Sequence, residues 1–86
     1  MSGNYRISFN RQAEKDLAAL PQKMQERIAE TIDKLAHNPR PSGATKMSGF
    51  SSWRIRIDDC RVIYNIKDDV LTVLVLNIGH RREVYR

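Results

Sequence analysis

The chain has little cysteine, and it has no long hydrophobic run. Cys60 is the one cysteine among 86 residues, which excludes an intrachain disulfide framework and is typical of a protein from a reducing cytoplasm. No apolar stretch approaches the length of a membrane-spanning segment, and no signal-peptide pattern opens the sequence. We therefore expect a cytoplasmic protein without a membrane partner. Since internal repeats and low-complexity tracts are also missing, we expect residues 1–86 to form one small domain.

Several familiar catalytic patterns are absent as well. The sequence has no Gly-rich phosphate loop, no zinc-ligand spacing and no serine–histidine–aspartate arrangement. The paired carboxylates Asp58-Asp59 and Asp68-Asp69 stand where hairpin turns are needed, with no histidine or glutamate at ligand spacing beside them. Aspartate is a favoured turn residue, so we interpret both pairs as turns and not as metal ligands. We expect neither a metal nor any other cofactor.

Basic side chains are in excess, and they are unevenly distributed. Fifteen lysines and arginines stand against ten aspartates and glutamates, which gives a net charge of +5. Residues 1–39 carry six basic and five acidic side chains, whereas residues 40–86 carry nine and five. The basic half is also rich in predicted strands. This favours an anionic partner such as nucleic acid or an acidic peptide, with ordinary solubilising charge as the alternative.

The amino-terminal half predicts one strand followed by two helices. Residues 5–9 alternate between apolar and polar and predict a strand. Asn10 is a suitable N-cap for the helix that follows. Pro21 ends this helix and starts a second one, whose apolar stripe stops ahead of Pro39.

The carboxyl-terminal half predicts a loop and three strands. Residues 39–52 form a long loop by composition, and such loops are often functional. A hairpin over residues 53–64 follows, and residues 70–76 are so apolar that we expect a strand covered on both faces, ended by Gly79. The order is β-α-α-β-β-β. It predicts an α+β fold in which an N-terminal helical hairpin packs on one face of an antiparallel four-stranded sheet.

The predicted hairpin carries three arginines on one face. Asp58-Asp59 makes a tight two-residue turn, which places Arg56 opposite Arg61. Like charges placed opposite each other destabilise a sheet, so this arrangement favours a site that binds an anion; a solvated polar face is the alternative. Because side chains alternate along a strand, one face holds Trp53, Ile55, Val62 and Tyr64, and the other holds Arg54, Arg56 and Arg61.

A second basic cluster follows near the carboxyl end. Arg81 and Arg82 come directly after His80, and Tyr85 lies beside them. Basic side chains interleaved with an aromatic suit phosphate contact and base stacking on single-stranded RNA. His80 is a candidate general acid or base because histidine exchanges protons near neutral pH; a surface position on an edge strand is the alternative.

Four blocks of the sequence recur in the same order in a known family. They are Tyr5-Arg6-Ile7 with Ala13 and Asp16-Leu17, Leu35 with Asn38-Pro39, Trp53-Arg54-Ile55-Arg56 with Arg61-Val62-Ile63-Tyr64, and Gly79-His80-Arg81 with Val84-Tyr85. The chain resembles the RelE/ParE toxin superfamily of bacterial toxin–antitoxin modules, on the RelE side, over nearly its whole length. The fold of that family, a small antiparallel sheet with two N-terminal helices, agrees with the predicted elements.

The resemblance implies a ribosome-dependent mRNA endonuclease, an mRNA interferase that inhibits translation by cutting mRNA in the decoding A site. The nucleotide's own 2′-hydroxyl attacks the adjacent phosphate, and no metal takes part. By the same resemblance, Arg61 stabilises the developing phosphorane charge, Arg81 assists the leaving 5′-oxygen, and Tyr85 stacks on or orients the nucleotide. Lys46 and Arg82 are expected to make peripheral RNA contacts.

The sequence leaves the identity of the general base open. Arg54 and Arg56 stand where RelE-type enzymes carry basic residues, often lysines. Lysine can lose its proton in a perturbed site, whereas arginine effectively cannot. The base is therefore Tyr85, His80 or a group that the ribosome supplies, or else catalysis is mostly electrostatic. The turn also departs from the family pattern, since Asp58 stands where glycine is common.

The resemblance also implies partners. A toxin of this family is silenced by a cognate antitoxin, here a small, acidic, RelB-like protein, and it acts on mRNA in the ribosomal A site. Within the superfamily the alternative is a ParE-like toxin, a non-enzymatic inhibitor of DNA gyrase. The paired sheet arginines, together with Arg81 and Tyr85, favour the ribonuclease. A small basic binding domain without activity is a third possibility.

Overall fold

Two helices pack on one face of a five-stranded sheet in the computed structural model, which describes residues 4–47 and 52–80. The α+β class and the helical hairpin are confirmed. The elements are β1 (Arg6–Phe9), α1 (Arg11–Ala18), α2 (Gln22–His37), β2 (Ala44–Lys46), β3 (Ser52–Ile57), β4 (Cys60–Lys67), a 3-10 turn (Asp68–Val70) and β5 (Thr72–His80).

The strands lie in the order β1-β5-β4-β3-β2. The predicted antiparallel meander of β3, β4 and β5 is confirmed, but β1 runs parallel to β5. A hairpin turn sets the direction of the strand that follows it. No turn joins β1 to β5, because the helices and the whole meander separate them in the chain.

The fifth strand, β2, lies inside the segment that the sequence predicts as loop. Its three residues pair antiparallel with β3 at the edge of the sheet. The composition predicts a loop here because proline and glycine, which are typical of loops, lie just ahead of the strand at Pro39, Pro41 and Gly43. Such a short strand has little preference of its own, so its pairing with β3 stabilises it.

Both helices begin where the sequence predicts, and α2 also ends there, whereas α1 ends at Ala18, before it reaches Pro21. The Asn10 side chain accepts a hydrogen bond from the Ala13 backbone N–H at 2.8 Å, which confirms it as the cap of α1. Pro21 immediately precedes α2, which ends at His37. No helix within the described residues is long and apolar enough to cross a membrane.

The core lies between the helices and the sheet face beneath them. Tyr64 is fully buried there, and its hydroxyl donates to the Pro39 carbonyl oxygen at 2.8 Å. This bond ties β4 to the chain just beyond α2, and burial raises the pKa of Tyr64 to about 12. The buried hydrophobic residues that form this core are Ala13, Ile28, Ile32, Leu35, Ile55, Ile57, Cys60, Val62, Tyr64, Val73, Val75 and Ile78.

Two expectations about β5 are wrong. The strand does not end at Gly79, because Gly79 pairs with Arg61 on β4 and the ladder continues to His80. The strand is also not buried on both faces. Val73 and Val75 are buried, whereas Leu74 is only half-buried, since the helices cover one face of the sheet.

Candidate functional site

Three arginines project from the sheet face that the helices leave open. We call this surface the arginine face and define it by Arg54 and Arg56 on β3 and Arg61 on β4. The predicted register is confirmed: Arg56 lies opposite Arg61, Ile55 opposite Val62 and Trp53 opposite Tyr64. Arg54 and Arg56 are exposed, and Arg61 is half-buried. A polar stripe of this kind follows directly from the alternation of side chains along the two strands.

The turn between β3 and β4 is held from the helical side. Asp58 adopts a φ of 53°, a left-handed conformation that aspartate tolerates better than most residues. Arg27 on α2 pairs with the Asp58 carboxylate, and its Nη2 lies 3.3 Å from Oδ1. Both side chains are largely exposed, so the pair adds about 1 kcal/mol at most. It orients the turn and engages the Asp58 carboxylate away from the arginine face.

The arginine face lacks a counterion among the described residues. Over residues 4–47 and 52–80, none of its three arginines pairs with a carboxylate. Arg56 and Arg61 are direct cross-strand neighbours of like charge, an arrangement that costs stability. The surface therefore carries a concentrated positive charge that an external anion would relieve.

Asn77 on β5 belongs to the same surface, although it is not among the residues predicted for the site. It lies opposite Ile63 on β4, two residues before Gly79, which lies opposite Arg61. Its Nδ2 donates to the Asp16 carboxylate at 3.2 Å, and the Ile78 backbone N–H donates to the same oxygen at 2.9 Å. The one sequence signal for Asn77 is an amide directly after the largely apolar run 70–76.

His80 and Lys46 do not share the face of the arginines. His80 lies opposite Cys60, and Cys60 points into the core, so the register assigns His80 to the helical side of the sheet. Lys46 lies opposite Trp53, which packs against the core, and it is likewise assigned to the other side. The structure thus brings together Arg54, Arg56 and Arg61 and separates His80 and Lys46 from them.

The remaining predicted site residues lie outside the described part of the chain. Arg81, Arg82 and Tyr85 follow directly after the last described residue, His80. Their roles stay predictions.

A second polar cluster surrounds Arg40, between α2 and β2. Asp68 accepts hydrogen bonds from Arg40 at 2.8 Å and from the Tyr5 hydroxyl at 2.6 Å. The Arg40 guanidinium, and next the Tyr5 hydroxyl, lower the pKa of Asp68. Arg40 also lies over the Trp53 ring at 5.7 Å from its centroid. This cluster joins the start of β1, the 3-10 turn and β3, so it serves the fold and not the arginine face.

The two aspartate pairs behave as turn residues. Asp58 is bound by Arg27 and Asp68 by Arg40. The first carboxylate of each pair therefore has a cationic side-chain partner. Among the described residues, no three histidine, cysteine, aspartate or glutamate side chains gather closely enough to hold a metal ion.

Comparison with known proteins gives the family. The family model described as the ParE toxin of the type II toxin–antitoxin system parDE matches residues 7–85. This is nearly the whole chain, so the chain belongs to that family. Toxin RelG of Mycobacterium tuberculosis is 27% identical over 84 residues, which cover 95% of this chain and 97% of the relative.

Solved structures confirm the fold. The RelBE2 toxin–antitoxin complex of Mycobacterium tuberculosis matches with a TM-score of 0.81 and 25% identity, covering 91% of this chain and 99% of the matched chain. The archaeal RelE–RelB complex of Pyrococcus horikoshii matches with a TM-score of 0.81 and 28% identity, covering 91% and 96%. The chain is a toxin of a type II toxin–antitoxin system in the RelE/ParE superfamily.

Proposed function

We propose that this toxin is a ribosome-dependent endoribonuclease that cuts mRNA in the A site without a metal and so inhibits translation. One observation carries the proposal: the arginine face concentrates three positive charges that no described carboxylate neutralises. Such a surface suits the phosphodiester backbone of RNA. Guanidinium groups also bind phosphate oxygens through two parallel hydrogen bonds. The likeness to RelE- and RelG-type toxins supports the same choice.

The chemistry is an internal transfer of the phosphate within the RNA. The 2′-oxygen of one nucleotide attacks the adjacent phosphorus, and the bond from phosphorus to the 5′-oxygen of the next nucleotide breaks. The products end in a 2′,3′-cyclic phosphate and a 5′-hydroxyl. Negative charge grows on the phosphate oxygens in the transition state, and preorganised donors stabilise such charge strongly. We assign this role to Arg61, the leaving oxygen to Arg81, and orientation of the nucleotide to Tyr85.

Two protons must move in this reaction. The 2′-hydroxyl proton passes to a base, and the leaving 5′-oxygen takes up a proton. Arg54 and Arg56 cannot act as the base, because arginine keeps its proton; they contact phosphate. The register of β4 and β5, which assigns His80 to the opposite side of the sheet, supports Tyr85 or a ribosomal group over His80 as the base.

The cognate antitoxin is the second partner. We propose a small acidic antitoxin of the RelB type, with an extended segment that covers or distorts the arginine face. Its acidic side chains would supply the counterions that Arg54, Arg56 and Arg61 lack within the described chain. The solved complexes of similar toxins with RelB proteins support a partner of this kind. A complex that left Arg54 and Arg61 open and undistorted would contradict this proposal.

Inhibition of DNA gyrase is the second candidate function. It is favoured by the description of the matching family model, which is that of a ParE toxin. A gyrase inhibitor needs a protein-binding surface and no arrangement for phosphate chemistry. The clustering of Arg56 and Arg61 on one open surface therefore favours the nuclease.

Two assays on the purified toxin separate the candidates. In a coupled translation reaction, the nuclease inhibits protein synthesis and produces new mRNA 5′ ends only while ribosomes translate. In a DNA supercoiling assay with purified gyrase, the same toxin concentration has no effect. The reverse pattern would support the ParE-like function. No effect in either assay would leave a binding domain without activity.

A further inference from the structure

The side-chain amide of Asn77 is held in one orientation by Asp16. Asp16 Oδ2 accepts from Asn77 Nδ2 and from the Ile78 backbone N–H, while Gln12 Nε2 donates to Oδ1 of the same carboxylate at 2.8 Å. A carboxylate oxygen accepts hydrogen bonds, so the NH2 group of the amide must face Asp16. Within residues 4–47 and 52–80 no donor engages the carbonyl oxygen of Asn77, which can therefore accept a hydrogen bond at the sheet surface.

A small notch lies beside this oxygen, above Gly79. A methyl group placed on Gly79 would lie 3.9 Å from Asn77 Oδ1 and 3.8 Å from Arg61 Nη2. A fixed acceptor and a cationic donor therefore lie within 4 Å of one point over the strand. Glycine leaves that point open.

The notch fits a group that presents a hydrogen-bond donor next to an anion. In a ribonucleotide, the 2′-hydroxyl and the 3′-phosphate are attached to neighbouring ribose carbons and meet this requirement. We propose that Asn77 is an RNA-binding residue whose Oδ1 accepts the hydrogen bond of the ribose 2′-hydroxyl while Arg61 binds the adjacent phosphate. Asp16 is the positioning residue that aims Asn77. This inference rests on the proposed ribonuclease function and adds the group that recognises the ribose.

The arrangement gives the site a preference for RNA over DNA. The 2′-hydroxyl is what distinguishes the two at a given nucleotide. A deoxynucleotide would leave Asn77 Oδ1 without its partner, which costs affinity. Asn77 remains an amide and takes no proton, so its contribution is to orient the 2′-oxygen beside Arg61.

The inference is tested by binding to two mRNAs that cannot be cut in the normal way. Wild-type cleavage of unmodified mRNA on stalled ribosomes first locates the cut. The nucleotide before it then carries a 2′-amino group, which can donate a hydrogen bond, or a 2′-fluoro group, which cannot. At a pH where the amine is neutral, the wild-type toxin should bind ribosomes with the 2′-amino mRNA about 3- to 10-fold more tightly. Asn77→Ala should bind both equally.

Three further variants separate a ribose contact from a structural effect. Asn65 also lies on this sheet face and accepts a side-chain hydrogen bond, from Ser52 at 2.9 Å, so Asn65→Ala is the matched control and should keep the wild-type preference. Asp16→Ala should lose the preference by releasing Asn77. Asp16→Asn, whose amide oxygen still accepts, should retain most of it. Melting temperatures monitor folding.

Two failures are distinguishable. A wild-type toxin that leaves unmodified mRNA intact contradicts the ribonuclease proposal itself. A wild-type toxin that cuts, but prefers neither modified mRNA or shares its preference equally with Asn77→Ala, overturns the role of Asn77 alone.

Discussion

Replacing Arg61 by alanine should abolish most of the catalytic rate and leave the fold intact. The side chain is half-buried on the open sheet face, and within the described residues it pairs with no carboxylate. Its removal breaks no ion pair of the described chain, and it relieves the like-charge contact with Arg56. The free energy of unfolding should therefore change by about 0.5 kcal/mol or less, in either direction.

The catalytic loss should be much larger. Arg61 is assigned to charge that develops only in the transition state, so its loss lowers the rate of the chemical step and not only the affinity. Losing one preorganised donor typically costs about 100- to 1,000-fold in rate, or about 3–4 kcal/mol. The assay is single-turnover cleavage on stalled ribosomes at saturating toxin. Arg61→Lys keeps the charge and loses the two-pronged contact, so it should fall between the wild type and Arg61→Ala.

Arg11→Ala is the matched control, because it removes the same charge from an exposed position on α1. It should leave the saturated rate unchanged. If Arg61→Ala also left the saturated rate unchanged, the catalytic assignment of the arginine face would be wrong, and the gyrase function would gain. If Arg61→Ala raised only the toxin concentration needed for half-maximal cleavage, Arg61 would be a binding contact and not a catalytic residue.

Further predictions concern the metal, the ribosome, the RNA contacts and the pH dependence of folding. Lowering free magnesium with EDTA should not slow cleavage while the ribosomes stay associated, and Asp58→Asn should still cut; loss of cutting in this variant with an intact fold would count against metal-free chemistry. Purified toxin should cut naked mRNA poorly, since among the described residues no carboxylate pairs with the three arginines and Lys46 is assigned to the other side of the sheet; efficient cutting at codon-like sites would refute this. Lys46→Ala and Arg82→Ala should weaken ribosome binding and reduce its salt dependence, while the cleavage rate at saturating toxin stays unchanged. Tyr85→Phe should keep the cleavage rate if Tyr85 only stacks on the nucleotide. A rate as low as that of Tyr85→Ala would indicate that Tyr85 transfers a proton. Loss of the Tyr64 proton should lower the free energy of unfolding between pH 10 and pH 12 by up to about 3 kcal/mol, because the pKa of Tyr64 is raised to about 12 in the fold from its ordinary 10.0. The hydrogen bond to Asp68 raises the pKa of Tyr5 as well, so Tyr64→Phe should remove most of the fall in urea unfolding curves but not all of it; an unchanged fall would assign it to another group.

The hairpin and its arginine face were predictable because local rules determine them. The two-residue turn at Asp58-Asp59 sets the register, and alternation then assigns every side chain from Trp53 to Tyr64 to a face. The cap at Asn10 and the break at Pro21 are local in the same sense. These features need no knowledge of the rest of the molecule.

The observed fold differs from the predicted one where a segment contacts residues that are distant from it in sequence. β2 exists because β3 lies beside it, and the direction of β1 is set by β5. Glycine weakens an isolated strand, yet Gly79 stays in the ladder because β4 pairs with it. Composition alone carries no information on these partners.

Within the candidate site, too, the features set by local sequence were predictable and those set by distant contacts were not. The three arginines of the arginine face lie on adjacent strands joined by one turn, so sequence reasoning found them. The face of His80 depends on the pairing of β4 with β5, and the contact of Asp16 with Asn77 joins residues 61 positions apart. Neither could be read from spacing.

The most direct test of the proposed function is the chemistry of the mRNA ends produced on a single stalled ribosome. Ribosomes are halted with one defined codon in the A site, purified toxin is added, and both new ends are mapped and identified. The proposal predicts one cut within that codon, with a 2′,3′-cyclic phosphate on the upstream fragment and a 5′-hydroxyl on the downstream fragment. With Arg61→Ala both ends should form about 100- to 1,000-fold more slowly. Intact mRNA on ribosomes that have bound folded wild-type toxin would contradict the proposal.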